Sequence, residues 1–292
     1  IPSGAIVVKN PNGTAPAFIV ETERGVTISL PGVPFEMKWL VENEVIPYLR
    51  EKYNLTQMIH YRVLKVADIG ESAVDERIGH LIADSKNPTV GVLAHPGQVD
   101  VRIAALSENI DAANALIDTV DVEVRKLLGD NIFAVDDATI ESVVGELLVT
   151  KNATVATCED LSGGSIASAV QKAADSAFLQ SSIVNSNEAL EKIAQSGGET
   201  PPFADGAERA AALARSIRKT TGATYGIAVH GTEEGDKRTE NLGKGETYIV
   251  VSGPDGERTR HVRSAGRGEP DRQRAAMGAL SLFRRELLGL PE

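Results

Sequence analysis

The sequence predicts an α/β protein: a C-terminal domain on a mixed sheet, preceded by a small α+β module and by the last part of a further domain. Three patterns carry that reading. From about residue 139 onward, short β-branched runs alternate with alanine-rich stretches of helical period, as in "TVATCEDLSGGSIASAV" at 154–170. Residues 58–138 run strand, helix, strand, strand, helix, the order of a compact α+β unit with its helices on one sheet face. Two of the last strands are joined through "GPDG", a hairpin turn that adds antiparallel pairing. The apolar periodicity resets between these segments, so modules are expected at 1–57, 58–138 and 139–292.

Along the chain, residues 5–8, 17–20 and 26–30 are β-branched runs separated by the turn-rich "NPNGTAP" and "TERG", which predicts antiparallel strands. Pro31-Gly32-Val33-Pro34 follows as a rigid loop before a helix over about 35–48. In the middle module "HYRVLKVADI" predicts a strand and "ESAVDERIGHLIADS" an amphipathic helix. "TVGVLAHPGQVDVRIAAL" predicts two strands about a turn that leaves His95 solvated, and "DAANALIDTVDVEVRKLLGD" a helix stopped by Gly129. The C-terminal module opens with the helix "ATIESVVGELLVTKN" and continues through strand 154–159, a helix from 165, strand 181–185, and helices around 188–195 and 205–220. Asp205 with Glu208 has the spacing of an N-terminal capping box. Strands at 225–230, 246–252 and 257–263 precede a closing helix over 271–288, whose Ala276, Met277, Leu280, Phe283 and Leu287 share one face.

Composition narrows the function classes. With only 4% aromatic residues, aliphatic and alanine packing must build the cores. The net charge of −11 excludes general nucleic-acid affinity, which needs clustered Lys and Arg against phosphates. The local exception, Arg258, Arg260, Arg263, Arg267, Arg272 and Arg274, reads as a solvated arginine-rich face. A single cysteine excludes an intrachain disulfide and fits a reducing compartment, so a cytoplasmic location is expected. No apolar run approaches the roughly 20 residues that span a bilayer, and no membrane partner is expected. The opening "IPSGAIVVKN" lacks an initiator Met and starts within a strand-like run, so a longer parent chain is expected.

Candidate chemistry centres on the strand-to-helix junction at 158–164. Gly163-Gly164 would leave backbone N–H groups at a helix N-terminus, where the dipole favours an anion, although such a pair also serves close packing. Ser162 and Cys158 are the nearby nucleophile types, and each needs a base or a neighbouring cation. Cys158 ends an apolar run and reads as a small buried residue, while Asp160 reads as a helix cap rather than a base. In "HGTEEGDK", His230, Glu233 and Asp236 match no metal-ligand spacing, and no cofactor is expected for this module.

Across nearly the whole chain these segments resemble the CinA (competence/damage-inducible protein A) family. "NPNGTAP" and "LPGVPFEM" resemble the end of that family's MoaB/Mog-like domain, and "GESAVDERIGHLI" with "NPTVGVLAHPGQVDVRIAA" its KH-like domain. "TVATCEDLSGGSIAS", "SIVNSNEAL" and "GIAVHG" resemble its C-terminal, nicotinamide mononucleotide deamidase-like domain. The resemblance implies hydrolysis of the amide of nicotinamide mononucleotide in pyridine nucleotide salvage, a nicotinamide nucleotide or related small molecule as partner, and a homo-oligomer. It also implies, for a full-length N-terminal domain only, a divalent metal and pyrophosphatase activity on ADP-ribose-like dinucleotides.

The family's loop Ala-Glu-Ser-Cys-Thr-Gly-Gly carries a nucleophilic serine, and here that position is Asp160. The tyrosine and lysine of its Ala-Tyr-Ser-Asn-Glu-Ala-Lys segment correspond to Asn185 and Leu190, and its Thr-Gly-Ile-Ala-Gly-Pro loop starts at His230-Gly231. The implied catalytic positions are thus Asp160, Ser162, Asn185 and Leu190; the implied ligand-binding positions are Gly163, Gly164, His230, Gly231 and Arg274. Replacement of nucleophile, tyrosine and lysine together predicts an altered or inactive amidase. Two alternatives stand beside it: a shifted nucleophile, Ser162 served by Lys192, or chemistry confined to the parent's pyrophosphatase domain.

Overall fold

The β-branched runs at the start of the chain pair as an antiparallel meander, β1 (Ile6–Val8), β2 (Ala17–Thr22) and β3 (Gly25–Ser29), in the order β1-β2-β3. Helix α1 (Pro34–Leu40) passes through one π turn, Val41–Val45, into α2 (Ile46–Tyr53). The helix therefore runs past the expected end. Pro47 lacks an N–H, and the wider turn ahead of it absorbs the missing bond. Val8, Ala17, Ile19 and Leu40 bury a small core.

In this computed structural model residues 1–233, 245–263 and 268–291 are described, and the chain divides into two units, 1–60 with 106–113 and 61–105 with 114–292. The second unit holds a four-stranded sheet in the order β5-β6-β4-β7. Its elements are β4 (Met58–Val66), α3 (Glu71–Asp84), β5 (Thr89–His95), β6 (Gln98–Ser107), α4 (Ile110–Leu128) and β7 (Ile132–Val135), with the first residues of β4 and of α4 and the last of β6 belonging to the other unit. β7 is absent from the sequence-based expectation, because four residues carry too little alternation to be read. His95 is exposed as expected, but it ends β5 rather than sitting in the turn, and its Nε2 lies 3.2 Å from Asp100 Oδ2.

A second, five-stranded sheet has the order β12-β11-β10-β8-β9. Around it run α5 (Ile140–Thr150), β8 (Val155–Glu159), α6 (Ser165–Ala173), β9 (Phe178–Ile183), α7 (Asn187–Ser196), α8 (Gly206–Thr221), β10 (Tyr225–Glu233), β11 (Gly245–Gly253), β12 (Gly256–Val262) and α9 (Glu269–Leu288). β8 pairs parallel with β9 and β10, and the β10–β11 and β11–β12 pairs are antiparallel, so the sheet is mixed as expected. Val155, Ile227, Val229 and Ile249 face α5, α6 and α9; Ala156, Cys158, Ala228 and Val250 face α7 and α8. All five apolar residues expected on one face of α9 are buried.

Two local expectations change. Asp205 does cap α8 through Glu208 N–H (2.9 Å), but the Glu208 carboxylate accepts from Ala204 N–H (2.6 Å), one residue upstream of a capping box. Arg267 lies outside the described residues, and the rest of the arginine-rich face is only partly solvated. Arg258 Nε pairs with Glu286 Oε2 (2.5 Å), and Arg260 Nη1 with Asp68 Oδ1 (2.7 Å). Arg285 Nε takes the other oxygen of Asp68 (2.7 Å), and Arg284 donates to the carbonyls of Asp130 and Ile132 (both 3.1 Å), tying α9 to the four-stranded module. No helix among the described residues is long and apolar enough to cross a membrane.

Candidate functional site

β8 lies between β9 and β10, with the chain leaving its C-terminal end through α6 to one neighbour while the other neighbour is reached through α7 and α8. That end is the point where the sheet's winding reverses, the usual location of a site in an open α/β sheet. Side chains alternate across a strand, so the last residues of β8 are delivered to opposite faces. Glu159 goes toward α6 and Asp160 toward β10.

Glu159 is fully buried, and its carboxylate closes the N-terminus of α6. Oε2 accepts from Ser162 Oγ–H (2.7 Å), Gly164 N–H (3.1 Å) and Ile166 N–H (3.1 Å); Oε1 accepts from Ala167 N–H (2.8 Å) and Thr157 Oγ1–H (3.0 Å). The helix dipole and its first donors thus already hold an anion, and it belongs to the chain. This corrects two expectations: the cap is Glu159 rather than Asp160, and the N–H groups after Gly163-Gly164 are not free. The two glycines have φ of +63° and +92°, and a Cβ on Gly164 would come 2.6 Å from Ile183 Cδ1, so the turn can approach β9 only without side chains.

Asp160 is 3% exposed and sits in a compact pair with His230, also 3% exposed. Its Oδ2 lies 2.5 Å from His230 Nδ1 and its Oδ1 accepts the Gly231 N–H (3.0 Å). With the carboxylate as acceptor, Nδ1 carries the ring hydrogen and Nε2 becomes the acceptor nitrogen. Nε2 is buried without a hydrogen-bond partner among the described residues. A Cβ on Gly231 would meet Leu161 Cδ1 at 2.7 Å, which shows how closely this loop is pressed against the end of β8. Chemically the pair is an oriented base. The hydroxyl two residues on from Asp160, that of Ser162, donates its hydrogen bond to Glu159 instead.

The remaining sequence-expected positions are dispersed. Leu190, expected from the resemblance as a catalytic position, is a core side chain buried in the apolar cluster with Cys158, Ala194 and Leu213. Asn185 lies just beyond β9 and is exposed. Lys192 is exposed on α7 and pairs with Glu188 (2.7 Å), so it does not serve Ser162. Arg274 sits on α9 against Asp271 (3.2 Å), beside the β5–β6 hairpin rather than beside Asp160. Burial, with the charges of Asp160 and Glu159, pushes the Cys158 thiol up to about 12. Gly163 and Gly164 line an open cleft of about 1110 Å³ with Lys65, His95, Asp100 and Lys172, whereas Asp160 and His230 do not line it. Among the described residues no group of His, Cys, Asp and Glu could hold a metal; the Glu233 side chain and Asp236 lie outside them.

Comparison with known proteins gives two family-model matches, the damage-inducible protein CinA KH domain over residues 61–134 and the CinA C-terminal domain over 137–287. A competence-damage inducible protein from Clostridium novyi is 33% identical over 291 residues, covering 98% of this chain and 70% of its own length. A CinA-like protein from Frankia casuarinae is 36% identical over 298 residues, covering 100% of this chain and 69% of its own. A solved competence damage-inducible protein A from Klebsiella pneumoniae matches 51% of this chain and 95% of itself at 22% identity, with a TM-score of 0.44. With both modules matched in order and relatives aligned along nearly its whole length, the chain belongs to the CinA family.

Proposed function

We propose that the C-terminal module is a deamidase-fold unit that no longer hydrolyses nicotinamide mononucleotide and keeps a role in small-molecule binding or self-association in the cytoplasm. The observation that supports this reading is Asp160. At the position corresponding to the family's serine stands a buried carboxylate held by His230 and the Gly231 N–H. A carboxylate attacking a carboxamide would form a labile anhydride, and neither the tyrosine nor the lysine position retains a group able to assist. The shifted-nucleophile alternative loses its support, because Ser162 is buried as part of the α6 cap and Lys192 is paired elsewhere.

Ammonia release from nicotinamide mononucleotide tests the reading directly. No release above background is expected, since nucleophile and partners act as a unit whose loss removes several orders of magnitude in rate. Turnover on the order of 1 s⁻¹ would overturn it. If that turnover disappeared in Ser162→Ala, the shifted nucleophile would be the correct account.

A further inference from the structure

Beneath the tie between α9 and the four-stranded module lies a second cleft, of about 800 Å³, independent of Asp160 and His230. Its charged lining is unbalanced: Arg77, Arg260, Arg274 and Arg285 face only Asp68 and Glu71. The excess is two positive charges in a chain whose net charge is −11. Hydrogen bonds within the chain use Arg77 Nη1, Arg260 Nη1, and Arg285 Nε and Nη1. A guanidinium has five N–H donors, so each of these three keeps donors with no acceptor among the described residues. Two further observations point the same way. Helix α3 starts in this cleft with Gly70 as its N-cap, which offers no side chain to the first N–H groups. The Ser281 hydroxyl, 1% exposed, also lines the cleft beside the Asp68 carboxylate, which it helps to hold below its ordinary value, and no closer hydrogen-bond partner stands among the described residues.

We propose that this cleft binds a phosphate-bearing small molecule, which bridges the KH-like and C-terminal modules. Guanidinium forks match the oxygens of a phosphate, the uncapped helix start adds N–H donors of the same polarity, and the hydroxyl can turn to donate. The site is concave and confined, and the acidic chain around it opposes a long polyanion, which favours a small ligand over nucleic acid.

Calorimetric titration of the full chain with inorganic pyrophosphate, at constant ionic strength, tests this. Saturable binding is expected, with a rise in Tm that sodium chloride at equal ionic strength does not reproduce. Arg77→Gln should weaken binding by about tenfold or more, and Glu71→Gln should strengthen it; both positions are exposed, so folding is retained. Absence of saturable binding, or equal affinity in Arg77→Gln, overturns the proposal. So does a single-stranded oligonucleotide that binds where pyrophosphate does not, which would make the cleft a nucleic-acid surface.

Discussion

Glu159, one residue before the position where the family's nucleophile would stand, decides what the junction can do. Its five accepted hydrogen bonds fix Ser162, Thr157 and the first turn of α6 at once. Glu159→Gln would aim amide hydrogens at backbone N–H donors, and we expect a loss of about 2–4 kcal/mol in urea unfolding. Ser162→Ala, which removes one donor and leaves the cap in place, should cost only about 1 kcal/mol. A comparable loss in both variants would show that the carboxylate is not the centre of the cap. At this scale the sequence was partly legible. Cys158 as a buried residue follows from its apolar run, and the structure agrees. The cap was missed because capping residues are sought in the loop, at Asp160 or Ser162. Strand alternation held the missing signal: it sends residue 159 to the face where α6 begins. The Asp160–His230 contact joins residues 70 apart, and only the register of β8 against β10 reveals it.

Among elements, α9 bears the most unusual load. Its apolar face was readable from period alone, but Arg284 and Arg285 near its end are both 6% exposed, where a sequence reading would place them in solvent. Apart from the Pro291 carbonyl, which Arg285 also meets, their partners lie more than 150 positions away, at Asp130, Ile132 and Asp68, beyond the reach of any local pattern. Burial pushes the Asp68 carboxyl up, but the adjoining Arg260 and Arg285 more than offset it and hold the acid below its ordinary value. A depressed acid stabilises the fold above its unfolded pKa, near 3.9, and that contribution is lost as pH falls through the lower folded value. Acid unfolding below about pH 4 should therefore be shallower in Asp68→Asn. The same variant should lose about 2–3 kcal/mol at neutral pH, because Arg285 stays buried without its carboxylate. An unchanged acid limb would mean that Asp68 is not the group that titrates.

For the whole molecule, the expected boundary between middle and C-terminal modules has different physical content from the one near residue 57. Residues 54–57 are exposed and carry neither helix nor strand, and Asn54 closes α2 in a left-handed conformation. Around 136–139 the backbone is tied down: Asp136 N–H donates to the Val63 carbonyl (2.8 Å), its side chain accepts Val63 N–H (2.8 Å), and Thr139 caps α5. Limited proteolysis should cut first within 54–57 and only late at 136–139; early cleavage at the second site would show that those bonds open readily. The lone thiol offers a second measure of the same cooperativity. Cys158 lies in β8, an interior strand of the five-stranded sheet between β9 and β10, 1% exposed, with its thiol pushed up to about 12, so at neutral pH it is both shielded and protonated. An aromatic disulfide reagent at pH 8 should leave the native chain unlabelled for hours and titrate one equivalent in denaturant. The rate of labelling then becomes a clock for the opening of the sheet, and a newly placed surface cysteine could carry a probe without a competing background.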